Sequence, residues 1–206
     1  MANAKPVGLV TVDKPFSQAC ENNKAPILEQ LQTYLAQATS VLEIGSGTGQ
    51  HAVYFAAGLP HVQWYTSDQP HNHAGINAWL NDSESSNLHP PEAFTLGLDA
   101  WPKVQVDAVF SANTAHIMQR SEVKVMQQLV AQHLPTNGVF CQYGPFTTNG
   151  KFDGQSNADF HQYLLTEGCG GYRDISELQT WARGLTLSEN IEMPANNRLL
   201  VWTKNS

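Results

Sequence analysis

The fold of this chain is decided by Val41-Leu42-Glu43-Ile44-Gly45-Ser46-Gly47-Thr48-Gly49-Gln50. A short apolar run typical of a buried strand gives way to three glycines at alternating positions, and a helical pattern follows at 51–57. Glycine suits such a turn because it adopts backbone angles that a Cβ atom disfavours and lets a ligand lie against the backbone. The free N–H groups at the start of the helix attract a carboxylate or phosphate. The stretch therefore predicts a strand, a turn and a helix that bind a small ligand.

The glycine spacing narrows the choice of ligand. A dinucleotide fingerprint, Gly-x-Gly-x-x-Gly, counted from Gly45 would need its third glycine at Gln50, and a phosphate-binding loop would need a lysine after its last glycine. Neither requirement is met. The remaining pattern, Glu-x-Gly-x-Gly-x-Gly, resembles the first motif of the class I S-adenosylmethionine (SAM) dependent methyltransferases. On this segment alone, flavin or nicotinamide binding and a tight turn without a ligand remain alternatives.

Length and composition indicate one globular domain in the cytoplasm. The chain has 206 residues, of which 41% are hydrophobic, and it has no apolar run long enough to span a membrane. Its first residues lack the apolar core of a secretory signal. The cysteine count of three is odd, and the cysteines show no metal-binding spacing. We therefore predict reduced thiols in a cytoplasmic protein.

The charge balance bears on the class of substrate. The chain has 18 acidic and 11 basic residues, a net charge of −7, and its basic residues are scattered. A nucleic-acid backbone would be repelled by most of such a surface. The composition therefore disfavours a nucleic-acid substrate, and it predicts no particular oligomeric state.

Alternating helical and strand patterns predict the rest of the fold. An amphipathic helix is expected to begin at a cap of Asn22-Asn23 with Pro26 in its first turn. The predicted strands after the glycine turn lie at 62–68, 94–96, 106–111, 139–144, 185–193 and 198–203. Together they predict a single α/β domain with a seven-stranded Rossmann-like sheet, helices on both faces and a C-terminal β-hairpin. We divide it into an N-terminal arm and helix (1–38), a cofactor-binding core (39–144) and an acceptor-site and hairpin region (145–206).

Two acidic residues are candidates for holding a nucleoside. Asp68 ends the second strand about 20 positions past the glycine turn, where a carboxylate can bind both ribose hydroxyls. In the SAM-binding fold an Asp after the third strand often accepts a hydrogen bond from the adenine amino group. By this likeness Asp99 is the predicted adenine ligand, and the backbone of Ala100 is expected to contact the adenine ring. A helix cap or surface turn is the alternative for Asp68. The predicted cofactor-binding set is Glu43, Gly45, Ser46, Gly47, Gly49, His51, Asp68, Asp99, Ala100 and Asn113.

The candidate catalytic residues lie after the fourth strand and at the end of the fifth. Ligands of open α/β sheets bind beyond the carboxyl ends of the strands, which places the loop with Asn113 and His116 at the site. Asn113 is expected to orient the substrate and His116 to act as a general base, with a helix-starting histidine as the alternative. Tyr143 is the third catalytic candidate, and with Phe146 and Phe152 it is expected to wall the acceptor pocket.

The other sequence signals around the site predict a lid and no metal centre. The segment 20–27 is expected to reach over the pocket as a lid. His71 and His73 are two positions apart and have no carboxylate or cysteine to complete a metal site, so no metal is predicted. Arg173 and Arg198 are interpreted as surface ion pairs, with contact to an anionic substrate as the alternative.

Several short motifs spread along nearly the whole chain are similar to those of one small family. They are Glu21-Asn22-Asn23-Lys24 with Pro26-Ile27-Leu28, the turn from Glu43 to His51, Ser67-Asp68, Asn113 to Ile117, Tyr143-Gly144-Pro145-Phe146, Ser156-Asn157 and Arg173-Asp174-Ile175. The chain resembles the methyltransferase-like 26 family, formerly domain of unknown function 938. The resemblance implies a class I SAM-dependent methyltransferase fold and names no substrate. One departure is Asn22, where the family pattern has Arg.

The predicted function is transfer of a methyl group from SAM to a small-molecule or peptide-like acceptor. The sulfonium methyl group is already activated, so the protein has mainly to hold the nucleophile in line and exclude water. The alternatives are a SAM-binding or S-adenosylhomocysteine (SAH) binding protein that regulates or scaffolds without turnover, and a nicotinamide-dependent oxidoreductase.

Overall fold

A computed structural model describes residues 14–206, so the part of the predicted N-terminal arm at 1–13 lies outside the described residues. The strands of this part of the chain are β1 (Ser40–Ile44), β2 (Gln63–Asp68), β3 (Leu88–Ala93), β4 (Ala108–Ala112), β5 (Val139–Gly144), β6 (Phe146–Thr147), β7 (Arg173–Asp174), β8 (Leu185–Met193) and β9 (Asn197–Lys204). The helices are α1 (Gln18–Tyr34), α2 (Gln50–Gly58), α3 (His73–Asn81), α4 (Arg120–His133), α5 (Gln155–Thr166) and α6 (Ile175–Trp181), with a short 3-10 helix at Pro70–Asn72.

Seven of these strands form one sheet in the order β3-β2-β1-β4-β5-β9-β8. The strands β1 to β5 run parallel, whereas β9 is antiparallel to both β5 and β8. The prediction of a seven-stranded sheet that closes with a C-terminal hairpin is confirmed. The chain order reverses between β1 and β4, which is where ligands bind in open α/β sheets.

Apolar side chains bury both faces of the sheet. On one face, α1 and α2 contribute Ile27 and Phe55 to a core cluster with Trp64 of β2. On the other face, α4 and α6 contribute Val123 and Leu178 to a second cluster. The central strands β1 and β4 are buried along almost their whole length, as expected for parallel strands covered on both sides. None of the helices between residues 14 and 206 has the length and apolar character needed to cross a bilayer.

The third strand is displaced from its predicted position. It spans Leu88–Ala93 and contains Pro90 and Pro91, whereas the prediction placed it at 94–96. Prolines are tolerated because β3 is an edge strand of the sheet formed by residues 14–206, in which it pairs only with β2, and the register shifts where the prolines lie. Phe94 and Leu96 are buried just beyond the strand, where the chain turns at Thr95. Their burial explains the apolar pattern that suggested a strand at 94–96.

The start of the first helix also differs from the prediction. The cap is Ser17, whose hydroxyl accepts a hydrogen bond from the Cys20 N–H at 3.3 Å, so Asn22 and Asn23 lie inside α1. Pro26 lies in the helix interior rather than in its first turn. Proline has no N–H to donate to the Asn22 carbonyl, and burial of the apolar face of α1 outweighs this loss.

Candidate functional site

A cavity of about 900 Å³ opens at the edge of the sheet where the parallel strands end. Residues that end or directly follow the parallel strands line it, among them Gly45 after β1, Asp68 at the end of β2 and Asn113 after β4. The helix α1 contributes Cys20, Asn22 and Asn23 to the lining, so the first half of the segment 20–27 reaches the pocket as predicted, whereas residues 24–27 do not line it. The cavity lies at the position predicted for a ligand of an open α/β sheet.

The glycine turn after β1 forms one wall of the cavity. Gly45 and Gly47 have φ angles of +75° and +58°, which L side chains rarely adopt. A Cβ atom on Gly45 would lie 2.6 Å from Thr114 Cγ2, whereas a Cβ atom on Gly47 would meet no protein atom within 4 Å. Gly47 thus presents bare backbone to open space in the cavity lining. Gly49 lies outside the lining, against Ile76 of α3.

Asp68 shapes this turn. One carboxylate oxygen, Oδ2, accepts the Gly47 N–H at 2.7 Å, and Oδ1 accepts the Gln69 N–H at 2.7 Å and the Asn72 side-chain N–H at 2.8 Å. The side chain is buried yet lines the cavity. The carboxylate therefore holds the β1 and β2 loops together at the place predicted for a ribose ligand.

Glu43 lies behind the glycine turn. Its Oε2 accepts hydrogen bonds from Ser46 Oγ at 2.8 Å and Trp64 Nε1 at 3.2 Å. Burial raises the pKa of Glu43 to about 7, an effect that these hydrogen bonds oppose. Ser46 lines the cavity, whereas Glu43 does not, so the carboxyl group supports the glycine turn from behind.

A polar contact joins the lid to the cavity wall. His51 Nε2 lies 2.7 Å from Asn23 Oδ1, and the imidazole stacks on Phe55. Burial lowers the pKa of His51 to about 4, so the ring is neutral at pH 7 and donates to Asn23 from Nε2. Burial also raises the pKa of Tyr143 to about 12, while Asn23 has the opposite effect. His51, Asn23 and Tyr143 all line the cavity.

One part of the cavity lining, which we call the aromatic end, consists of His116, Phe160 and Tyr172 with Ile117 and Met118. The His116 ring centroid lies 6.0 Å from that of Phe160 and 6.2 Å from that of Tyr172. His116 is only 6% exposed, and its Nδ1 has no hydrogen-bond partner within the described chain. Burial lowers the pKa of His116 to about 4, so its imidazole is neutral at pH 7.

The predicted site residues divide into those that line the cavity and those that do not. The cavity lining includes Gly45, Ser46, Gly47, His51, Asp68, Asn113, His116 and Tyr143. Asp99 and Ala100 lie outside the lining and are exposed, and the Asp99 carboxylate accepts the Thr95 N–H at 2.7 Å. Asp99 therefore closes a local turn in this structure, and its contact with adenine stays a prediction.

Other expected wall residues are placed elsewhere. Phe146 is buried in the core on the α4 face of the sheet, and Phe152 packs against His161 and Tyr172.

Arg198 forms the expected ion pair, with Nε 3.0 Å and Nη2 2.9 Å from the two carboxylate oxygens of Asp153. Arg173 is buried and donates to the loop carbonyls of Gly170 and Gly171, and it forms no ion pair with any residue between 14 and 206.

Several lining residues were missed in the sequence. They are Phe160 of α5, Tyr172 in the loop before β7, and Pro194, Ala195 and Asn197 at the turn between β8 and β9. No local pattern marks them, because they reach the cavity only through the way α5 and the hairpin are placed. The nearest signal was the family-like Ser156-Asn157 pair, and both residues line the cavity.

The histidines near the cavity show no metal-site geometry. His73 Nε2 lies 2.9 Å from the backbone oxygen of Asp68. Across residues 14–206, no three His, Cys, Asp or Glu side chains are grouped as a metal ion would require.

Solved structures of methyltransferases share this fold. The S-adenosylmethionine-dependent methyltransferase SibL, in its apo form, matches with a TM-score of 0.76 and 15% identity over 91% of this chain and 56% of its own. An O-methyltransferase family protein from Burkholderia thailandensis matches with a TM-score of 0.75 and 16% identity over 89% of this chain and 56% of its own. Human N-acetylserotonin methyltransferase, in complex with SAM, matches with a TM-score of 0.72 and 13% identity over 91% of this chain and 58% of its own.

The sheet order and these matches define the class of fold as the Rossmann-like fold of SAM-dependent methyltransferases. The chain spans slightly more than half the length of the three matched proteins. It belongs to the family described as "Protein of unknown function (DUF938)", whose model matches residues 14–204.

Proposed function

We propose that this protein binds SAM and transfers its methyl group to a small-molecule or peptide-like acceptor. The observation that carries the proposal is the bare backbone of Gly47, which faces open space where the first parallel strand ends. Its N–H is held by the Asp68 carboxylate at 2.7 Å. A ligand with a flexible polar chain and a ribose fits this combination of a glycine cradle and a buried carboxylate.

The residues present fit the cofactor. Gly45, Ser46 and Gly47 would hold its amino-acid half against the turn, Asp68 would hold the ribose, and Asn113 would lie beside both. Bound SAM supplies an activated methyl group, so the protein has mainly to place the acceptor and exclude water. The support given by Glu43 and Gly49 would be indirect, through the shape of the turn. The predicted contacts of Asp99 and Ala100 with adenine belong to the same proposal.

The role of His116 follows from its two nitrogens. To act as a general base, His116 needs a free lone pair on the nitrogen that faces the acceptor and the proton on the other. Because Nδ1 is sealed from solvent, Nε2 is the nitrogen available to a ligand, and a proton on Nδ1 would find no acceptor. Buried N–H groups without a partner are rare, and a pKa near 4 makes a weak base at pH 7. We therefore propose that His116 orients the acceptor through Nε2–H, together with Asn113 and Tyr143.

The comparisons support a small acceptor. Human N-acetylserotonin methyltransferase is named for a small molecule. An O-methyltransferase family 2 protein from Planctomyces limnophilus, which matches with a TM-score of 0.71 and 14% identity over 89% of this chain and 62% of its own, was solved in complex with apigenin. The residues that would hold such an acceptor come largely from the predicted acceptor-site region at 145–206, among them Phe160, Tyr172 and Pro194. We also propose a cytoplasmic location, which fits the free thiols of all three cysteines, and a place within the methyltransferase-like 26 family.

Calorimetric titration with SAM and SAH tests the proposal. Gly47→Ala adds a methyl group where the cofactor would touch the backbone, and Gly150→Ala is the matched control. Both glycines have positive φ, +58° and +74°, and at both an added Cβ meets nothing within 4 Å. Gly150, however, lies outside the cavity lining. Both variants should lose about 1–2 kcal/mol of stability through backbone strain.

Only Gly47→Ala should lose affinity for SAH, by roughly tenfold or more. Equal affinities of the two variants would show that Gly47 does not contact the cofactor. Absence of SAM and SAH binding to the unmodified protein would refute the proposed function. Binding without methylated product from any acceptor tested would favour the alternative of a SAM-binding regulatory or scaffold protein.

A further inference from the structure

The chemistry of the acceptor can be inferred from the charges around the cavity. Within residues 14–206, Asp68 is the only Asp, Glu, Lys or Arg side chain in the cavity lining, and it belongs to the glycine-turn end. Arg173 and Arg198, each next in the chain to a lining residue, are already engaged, Arg173 with loop carbonyls and Arg198 with Asp153. An acceptor with a carboxylate, phosphate or ammonium group at the aromatic end would therefore lose water against the buried His116 and Tyr172 without gaining an opposite charge, which is unfavourable.

The shape of the aromatic end favours a flat ring. Phe160 and Tyr172 lie 6.3 Å apart between ring centroids, with an interplanar angle of 72°. Met118 and Pro145 add apolar surface to the same lining. Aromatic pairs at such distances prefer edge-to-face or offset arrangements, and a third ring placed among them gains more than its buried area alone provides.

His116 adds one polar requirement. Its ring lines this end, is 6% exposed and has no polar partner at Nδ1 within the described chain. The tautomer with the proton on Nε2 leaves only a lone pair unpaired in the protein interior, which costs less than a buried N–H without an acceptor. The ring therefore offers one N–H donor to an oxygen atom of the ligand.

The cavity has room for both ligands. Its volume of about 900 Å³ lies near the upper end of the range of roughly 300–1,000 Å³ for small-molecule sites. The glycine turn and the aromatic end are formed by different lining residues, and the volume allows one ligand to be assigned to each.

We propose that the aromatic end is the acceptor subsite and that it takes an uncharged aromatic compound whose hydroxyl oxygen accepts a hydrogen bond from His116 Nε2. This inference rests on the proposed function, because it assigns the rest of the cavity to SAM. It adds the class of acceptor, which neither the fold nor the family specifies.

The test is calorimetric binding of four matched probes to protein saturated with SAH. They are 2-naphthol, its carboxylate derivative 6-hydroxy-2-naphthoate, the cationic 2-naphthylmethylamine and the saturated decahydro-2-naphthol. We expect 2-naphthol to bind at least roughly tenfold more tightly than each of the others. Equal or tighter binding of the anion, the cation or the saturated alcohol would overturn the assignment, as would failure of 2-naphthol to bind.

Variants on one helix locate the probe. Phe160 and Tyr163 are exposed aromatic residues of α5 that stack on each other, but only Phe160 lines the cavity. Phe160→Ala should weaken 2-naphthol binding roughly three- to tenfold, with SAH affinity unchanged, and Tyr163→Ala should change neither. Equal effects of the two variants would overturn the placement.

A second pair of variants tests the hydrogen bond. His116→Leu removes the donor and should weaken 2-naphthol binding by roughly tenfold, whereas His116→Gln should retain part of the affinity through its amide N–H. Equal losses in both would exclude the hydrogen bond. Failure of SAH itself to bind would instead refute the proposed function, and this inference with it.

Discussion

Replacement of Glu43 by Gln should remove a pH-dependent loss of stability. Glu43 is buried beneath the glycine turn and accepts hydrogen bonds from Ser46 and Trp64. Burial raises its pKa from 4.5 to about 7. Between these values the folded protein binds a proton that the unfolded chain has lost, so the free energy of unfolding falls as the pH rises. The contribution of protonated Glu43 to the free energy of unfolding is complete below pH 4.5 and is lost as the pH rises through about 7.

The expected magnitude follows from this difference in pKa. Each pH unit between the two pKa values changes the free energy of unfolding by about 1.4 kcal/mol, which gives a total of about 3 kcal/mol. Glutamine keeps an oxygen for Ser46 and Trp64 and does not titrate. The free energy of unfolding of Glu43→Gln, relative to the unmodified protein, should therefore rise by about 3 kcal/mol between pH 4.5 and pH 8.

Urea unfolding followed by circular dichroism at several pH values between 4.5 and 8 measures this difference. The control is Glu29→Gln, which makes the same substitution at an exposed glutamate of α1. Its free energy of unfolding should depend on pH in the same way as that of the unmodified protein. If the stability difference between Glu43→Gln and the unmodified protein is constant over this pH range, Glu43 is not protonated in the folded state and the reasoning fails.

Three further predictions concern α1 and its contact with α2. Gln50→Ala deletes the acceptor of the Ser17 N–H, at 2.6 Å, and should lower the free energy of unfolding by about 1–3 kcal/mol, whereas the exposed Gln128→Ala should stay within about 0.5 kcal/mol. Pro26→Ala restores a helical N–H and removes a cost of about 3 kcal/mol, which should raise the thermal midpoint by roughly 6–12 °C; a lower midpoint would contradict this interpretation of the helix. Because burial lowers the pKa of His51 to about 4, the unmodified protein should lose about 3 kcal/mol of stability relative to His51→Gln as the pH falls from 6.5 to 4, and parallel pH profiles would refute this.

Much of the fold could be predicted because its signals are local. The glycine turn, the central strands and the closing hairpin follow from backbone preferences and apolar runs within short segments. The two errors came from tertiary context. Pro26 looked like a first-turn residue, but packing of α1 carries the helix through it. Phe94 and Leu96 looked like a strand because they are buried, although the paired edge lies just before them.

The cavity combines predictable and unpredictable residues in the same way. Asp68 and Asn113 could be placed at the sheet edge because each ends or follows a parallel strand, and such ends meet at one edge. Phe160 and Pro194 could not, since the hairpin turn is brought to the cavity by the antiparallel pairing of β9 with β5, and α5 is joined to that turn by hydrogen bonds between Asn157 and Asn196. Asn22, where the family pattern has Arg, lies in the lining, so the one noted departure falls within the site.

By itself, the sequence determined the class of sheet, the glycine turn and the side of the sheet where a ligand would bind. These depend on interactions between residues close in the chain and on which residues avoid water. Only the tertiary structure decided which side chains meet at the aromatic end and which nitrogen of His116 is sealed. The reason is that burial, and with it pKa and hydrogen-bonding capacity, depends on neighbours distant in sequence, whose positions are settled by packing of the whole domain.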